Sequence, residues 1–297
     1  MTNLSRRQFA AVTMGGLAAP LLTRPASARA PVTAAELLDR IKAGIGVEWK
    51  AETVDSVKAG DPATTVTGVV TTVMATMAVL QQAVKLGANT ILSCEPAFYA
   101  RSDARTPPPR GEAAPDPVYA AKNAFIDTHN LVIVRLSEHW GRRQPNPFMT
   151  GLGASLGWAN RQVAGHAARY ELPPTPLKAL AGSIAKSVGT RGGIRVIGAP
   201  ALTVKTAALL PGSTPIGAML DTLPGVDLVV AGEVREWESV EYVRDAVFSK
   251  QRKGLVLVGR IVSEEGGMRE CATWLARLVP EVKVRHVPVG DPYWRPA

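Results

Sequence analysis

The amino-acid sequence predicts an α/β protein, and three observations carry that reading. Short runs rich in Val, Ile, Leu and Thr alternate with helical segments along most of the chain. Its 27 glycines and 23 prolines supply the turns that such alternation requires. Residues 66–75 and 90–93 read as strands flanking a helix, a βαβ unit whose two strands should run parallel. With 297 residues, 46% hydrophobic and 20% charged, the chain can bury a large core in one or two domains.

The elements follow in order. Twin arginines Arg6 and Arg7, then Gln8-Phe9 and an apolar run over 10–22, match a twin-arginine export signal. Ala26-Ser27-Ala28 is a small-x-small cleavage site, so residues 1–28 are expected to be a signal peptide and the protein periplasmic. The run is too short to span a bilayer as a mature anchor, and no stable membrane anchor is expected. Removal of 1–28 deletes Arg6, Arg7 and Arg24 and no acid, taking the formal charge from +9 to +6. The remaining basic residues are scattered and lack interleaved aromatics, which argues against nucleic acid as a partner. Cys94 and Cys271 allow one disulfide at most, and no zinc-finger spacing.

Thr33-Ala-Ala-Glu36 is a capping box that opens a helix towards Ala43. After the first strand, Thr76 caps a helix through Lys85, closed by Gly87. Residues 100–117 read as a loop with a proline run at 107–109, long enough for a lid or an oligomer contact. A helix over 117–129 and a strand over 131–136 follow. Residues 141–193 are harder to read. Gly151, Gly153 and Gly157 superficially resemble a dinucleotide loop, but no strand precedes them. Pro173-Pro174-Thr175-Pro176 reads as a break, and 177–188 as a helix. Strands are expected at 194–198, 204–209, 226–231, 255–258 and 282–287. Helices are expected over 238–250 and from a Ser263 cap through Leu278.

The ends of these strands form a set. Cys94 and Glu95 end one strand, where Pro96 stops the ladder. Glu138 and His139 end the next, Glu233 a third, and Arg260 a fourth, with Glu264 just beyond it. In a parallel sheet these ends share one edge, where ligands bind. Clustered carboxylates repel unless a cation sits among them. Carboxylates with an imidazole and a thiol suit zinc, iron or manganese. Each acid also has an ordinary role available, in water or at a helix N-terminus, and for Glu264 the latter is strong.

The order and spacing of these motifs resemble the Nif-three-like family, also called type-2 GTP cyclohydrolase I homologues or dinuclear-metal-centre hexameric proteins. The resemblance runs over most of residues 50–295. Val66-Thr-Gly-Val-Val70 and Leu86-Gly-Ala-Asn89 match the approach to a family His-His-Pro motif, here Cys94-Glu95-Pro96. Gly259-Arg260-Ile-Val-Ser263-Glu264 stands where the family has Gly-His-x-x-(Ser/Thr)-Glu. Glu138-His139-Trp140 and the 232–238 segment resemble a further branch of the family.

The resemblance implies a Nif-three-like fold: mixed or mostly parallel sheets with flanking helices, in two interlocked lobes over 29–297. It also implies a ring-shaped homohexamer acting on a small molecule. The expected chemistry is a metal-dependent hydrolase, with Glu95, Glu138 and Glu233 as catalytic carboxylates. The expected ligands are Cys94, Glu95, Glu138, His139 and Glu264, around one or two divalent ions. Cys94 and Arg260 depart from the family, and arginine has no lone pair to offer a metal. Arg260 becomes a charge or substrate partner, which leaves one metal, or none. The other readings are a metal-binding protein without chemistry and a ring-shaped scaffold or pseudoenzyme.

Overall fold

The structure is a computed structural model that describes residues 31–107, 116–190, 192–294 and 296. The export-signal expectation on 1–28, and most of the proline run, therefore lie outside the described residues. Residues 31–297 form one compact unit.

Two five-stranded mixed sheets organise that unit, with nine α-helices among the described residues. The first sheet has the order β1-β4-β3-β2-β10: β1 (Val57–Ala59), β2 (Val69–Thr72), β3 (Thr90–Ser93), β4 (Val132–Arg135) and β10 (Val284–His286). All its pairings are parallel except that of β1 with β4. The second has the order β5-β7-β8-β9-β6: β5 (Arg169–Pro176), β6 (Arg195–Ile197), β7 (Thr203–Ser213), β8 (Leu228–Glu233) and β9 (Gly254–Leu257). Here β7, β8 and β9 are parallel, and β5 and β6 are antiparallel edges.

Each sheet is covered on both faces. In the first, α1 (Ala34–Gly44) packs on one side, and α2 (Met77–Lys85) and α3 (Pro117–Thr128) on the other. In the second, α5 (Pro147–Ser155) and α6 (Leu177–Val188) oppose α7 (Ile216–Thr222) and α8 (Glu241–Phe248). Two-sided burial is why β2, β3, β4 and β9 are buried at every position, with no polar alternation.

Local chemistry fixes the helix starts. The Thr33 hydroxyl accepts from Glu36 N–H, while the Glu36 carboxylate accepts from Thr33 N–H, the reciprocal capping box the sequence predicts. Thr76 Oγ1 accepts from Val79 N–H in the same way. The helix α9 (Arg260–Leu278) joins the two sheets, packing on β2 and β10 of one and β7 and β8 of the other. It crosses α5 where Gly151 meets Gly266 and Gly267. A Cβ on Gly151 would lie 2.3 Å from the Gly266 carbonyl carbon, so only glycine permits the approach.

Several expectations need correction. The strand ends do not share one sheet: Cys94, Glu95 and Glu138 belong to the first, Glu233 and Arg260 to the second. The break at 173–176 is the end of β5, an edge strand, where proline's missing N–H costs no ladder bond. Ser263 is not the cap of α9. The helix begins at Arg260, and the Ser263 hydroxyl accepts from Gly212 N–H and donates to Arg260 C=O. The helix expected over 238–250 opens as a π-helical turn, Glu236–Val240, before α8. The short α4 (Glu138–Arg142), α7 and β1 carry too little periodicity to be read from sequence.

Candidate functional site

The ends of β3 and β9 bring opposite charges together. Glu95 follows β3 and is buried; Arg260 opens α9 after β9. Arg260 Nε and Nη2 both donate to Glu95 Oε1, at 3.1 and 2.6 Å. Arg260 Nη1 stands 4.0 Å from Glu233 Oε2, at the end of β8. Burial works against the guanidinium's charge, but the Glu95 carboxylate outweighs it and holds Arg260 firmly protonated.

Glu264 lies one turn along α9 and is 8% exposed. Its Oε2 has no hydrogen-bond partner among the described residues. The carboxyl packs against Gly212, where a Cβ would fall 2.7 Å from Oε1. Burial, then the charges of Glu95 and Glu233, push its pKa up to about 8, against the pull of Arg260. A pKa that high favours the protonated acid at neutral pH, the form that burial penalises less.

The other predicted site residues are placed differently. Cys94 is buried in the core of the first sheet, with its thiol against the Val73 carbonyl at 3.4 Å. Burial first, then the charges of Glu264 and Glu95, push that thiol well above its ordinary range. His139 is fully buried and uses both ring nitrogens: Nδ1 lies 2.7 Å from Asp55 Oδ2, and Nε2 accepts from Lys50 N–H at 3.0 Å. Trp49 stacks on its ring at 3.8 Å. It is therefore a packed, hydrogen-bonded histidine with no free lone pair. Glu138 is exposed and accepts from the Thr53 hydroxyl at 2.7 Å; that bond and backbone help hold its carboxyl below its usual range.

Among the described residues, no three His, Cys, Asp or Glu side chains are placed to hold a metal ion. The donor set gives the reason. The imidazole is spent on Asp55 and Lys50, the thiol on the core, and a guanidinium occupies the carboxylate cluster. Glu95, Glu233 and Glu264 gather around the Arg260 guanidinium. The residues present do not fit a divalent ion.

Two clefts flank the Arg260–Glu95 pair. One, of about 720 Å³, is lined by Glu233, Leu257, Ile261, Arg195 and the exposed tail aromatics Tyr293 and Trp294. The other, of about 580 Å³, lies over the ends of β3 and β4 and includes Tyr99, Arg101, Arg135 and Glu138. Sequence reading missed Asp55 and Arg135. Asp55 accepts from the backbone N–H groups of Ser137, Glu138 and His139, and so shapes the turn after β4. It lies in a segment without periodicity, and Arg135 sits inside a strand, so neither gave a local signal.

No family model and no curated protein matches the sequence. Solved structures do match the fold. The Staphylococcus aureus hypothetical protein SA1388 is similar over 90% of this chain and 100% of its own, with a TM-score of 0.70 and 16% identity. A Bacillus cereus protein related to NIF3 matches over 90% of this chain and all of its own, with a TM-score of 0.68 and 14% identity. The protein ybgI, of unknown function, covers 88% of this chain and 100% of its own, with a TM-score of 0.65 and 21% identity. The chain thus has the NIF3-like fold that its motifs predict.

Proposed function

We propose that this chain, which carries the fold of the NIF3-related proteins, is a member of that superfamily that works without a bound metal and takes a small molecule beside the Arg260–Glu95 pair. The observation that supports this is the guanidinium itself. Arg260 places a fixed positive charge among carboxylates that would otherwise repel one another. It also divides two clefts at strand ends, where α/β proteins take their ligands. The test is elemental analysis of the purified protein with thermal melts before and after chelation. The expected result is no stoichiometric divalent ion and an unchanged Tm. A bound ion whose removal lowers Tm would overturn it.

One observation supports the metal-dependent hydrolase as a second reading: three carboxylates, Glu95, Glu233 and Glu264, gather around one positive charge, which a divalent ion would supply if Arg260 gave way. Zinc, iron or manganese bound after reconstitution, together with turnover of esters, phosphate esters or nucleotides, would support it. A protein that neither binds metal nor turns over that panel would fit the scaffold reading. Export by the twin-arginine route and a homohexameric ring belong to the same proposal. A single-subunit mass by light scattering at micromolar concentration would remove the ring.

A further inference from the structure

Arg135, the last residue of β4, is only 8% exposed, yet its Nη1 has no hydrogen-bond partner among the described residues. Its Nε reaches the Cys94 carbonyl at a long 3.4 Å. The carboxylate it faces, Asp103, stands 4.0 Å away with its own Oδ2 unpartnered. A guanidinium has five N–H donors, and burying it with donors unmet is costly.

Arg135 lines the 580 Å³ cleft, together with Arg101, Arg260 and the residues Tyr99, Ser137 and Ser213. Two carboxylates share that wall, and both are engaged: Glu95 by Arg260 and Glu138 by Thr53. Among the described residues Arg101 forms no ion pair. The cleft therefore offers two guanidiniums: Arg101 from the loop after β3, and Arg135 from β4, whose carboxylate partner Asp103 stands at 4.0 Å and leaves its donors incompletely met.

That loop is fixed. The Asp103 carboxylate accepts from Phe98 N–H at 2.9 Å, and Asp103 N–H donates to the Ala100 carbonyl at 2.9 Å. The buried Lys122 ammonium donates to the Ala97 carbonyl and lies 4.9 Å from the centre of the Tyr99 ring. Arg101 is thus carried on a folded turn at the rim.

We propose that this cleft binds a small oxyanion-bearing ligand, a carboxylate or a phosphate monoester, held by Arg135 from the floor and Arg101 from the rim. The planar fork of a guanidinium matches both groups, and the Ser137 and Ser213 hydroxyls add neutral donors. This deepens the reading above by naming the ligand class for one of its two clefts. It does not depend on which reading of the metal holds.

The test is calorimetric titration of the chelator-treated, full-length protein with inorganic phosphate and, separately, with succinate, at low and high salt. Binding of at least one anion, weakened by salt, is expected. Arg101→Gln, at the exposed rim, should weaken it roughly tenfold, as loss of a charge-assisted hydrogen bond does. Arg135→Gln should remove it, and Arg101→Gln decides the matter if that variant does not fold. The phosphate and succinate arms separate the two ligand chemistries. No heat with either anion at millimolar concentration, equal affinity in Arg101→Gln, or binding only after metal is restored would each overturn the proposal. If metal is found and anion binding survives chelation, the metal-free reading fails and this one stands.

Discussion

Replacing Glu264 with glutamine should change how stability depends on pH, by an amount the structure sets. The carboxyl ordinarily titrates at 4.5 and is raised to about 8 in the fold, by burial first and by Glu95 and Glu233 after it. Below pH 4.5 it is protonated in both folded and unfolded chains and contributes nothing to the pH dependence. Between 4.5 and 8 the folded chain keeps a proton that the unfolded chain has released. Stability therefore falls as pH rises, at about 1.4 kcal/mol per pH unit in mid-range. The accumulated penalty at neutral pH is about 3 kcal/mol, and it levels off above the folded pKa. Glutamine keeps the shape and removes the titration. Urea unfolding of both proteins from about pH 5 to about pH 8 should show the wild type losing about 3 kcal/mol relative to Glu264→Gln. The difference between the two proteins cancels the other titrating groups. Parallel stability curves would refute the reasoning and mean that Glu264 is ionised and paired in solution.

Arg260→Ala leaves the buried Glu95 without its partner and should cost about 2 kcal/mol by denaturant unfolding; adding Glu95→Gln should recover part of that loss. Gly151→Ala places a methyl group 2.3 Å from the Gly266 backbone, and the resulting displacement of α5 from α9 should cost about 2–3 kcal/mol, read as a lowered Tm. Asp55→Ala frees three backbone N–H groups and the His139 ring; a loss of about 3 kcal/mol is expected, with a changed Trp49 fluorescence as the ring it stacks on shifts. Changing Arg6 and Arg7 together to lysine should leave the precursor in the cytoplasm on cell fractionation; unchanged export would remove the signal-peptide reading.

Part of this protein was legible in one dimension. The strand Thr90–Ser93 and its stop at Pro96, the Thr33–Glu36 box and the Thr76 cap are local events, fixed by residues a few positions apart. The motif order that suggested the NIF3-like fold is local in the same sense, and so are the acids and the arginine that form the cluster. What escaped is what distant residues decide together. An edge strand such as β5 tolerates prolines that would forbid a central one, and only the sheet order says which it is. His139 resembles a ligand in sequence, but its freedom depends on Asp55 and Lys50, more than 80 residues away. Whether Cys94 faces the cleft or the core turns on the direction of one side chain after a strand, which no periodicity records. Sequence thus placed charged groups at the strand ends. Tertiary structure decided that two sheets share them, that Arg260 sits where a cation was expected, and that Arg135 is buried with a donor unmet, because charge energies depend on distance and burial, and the sequence specifies neither.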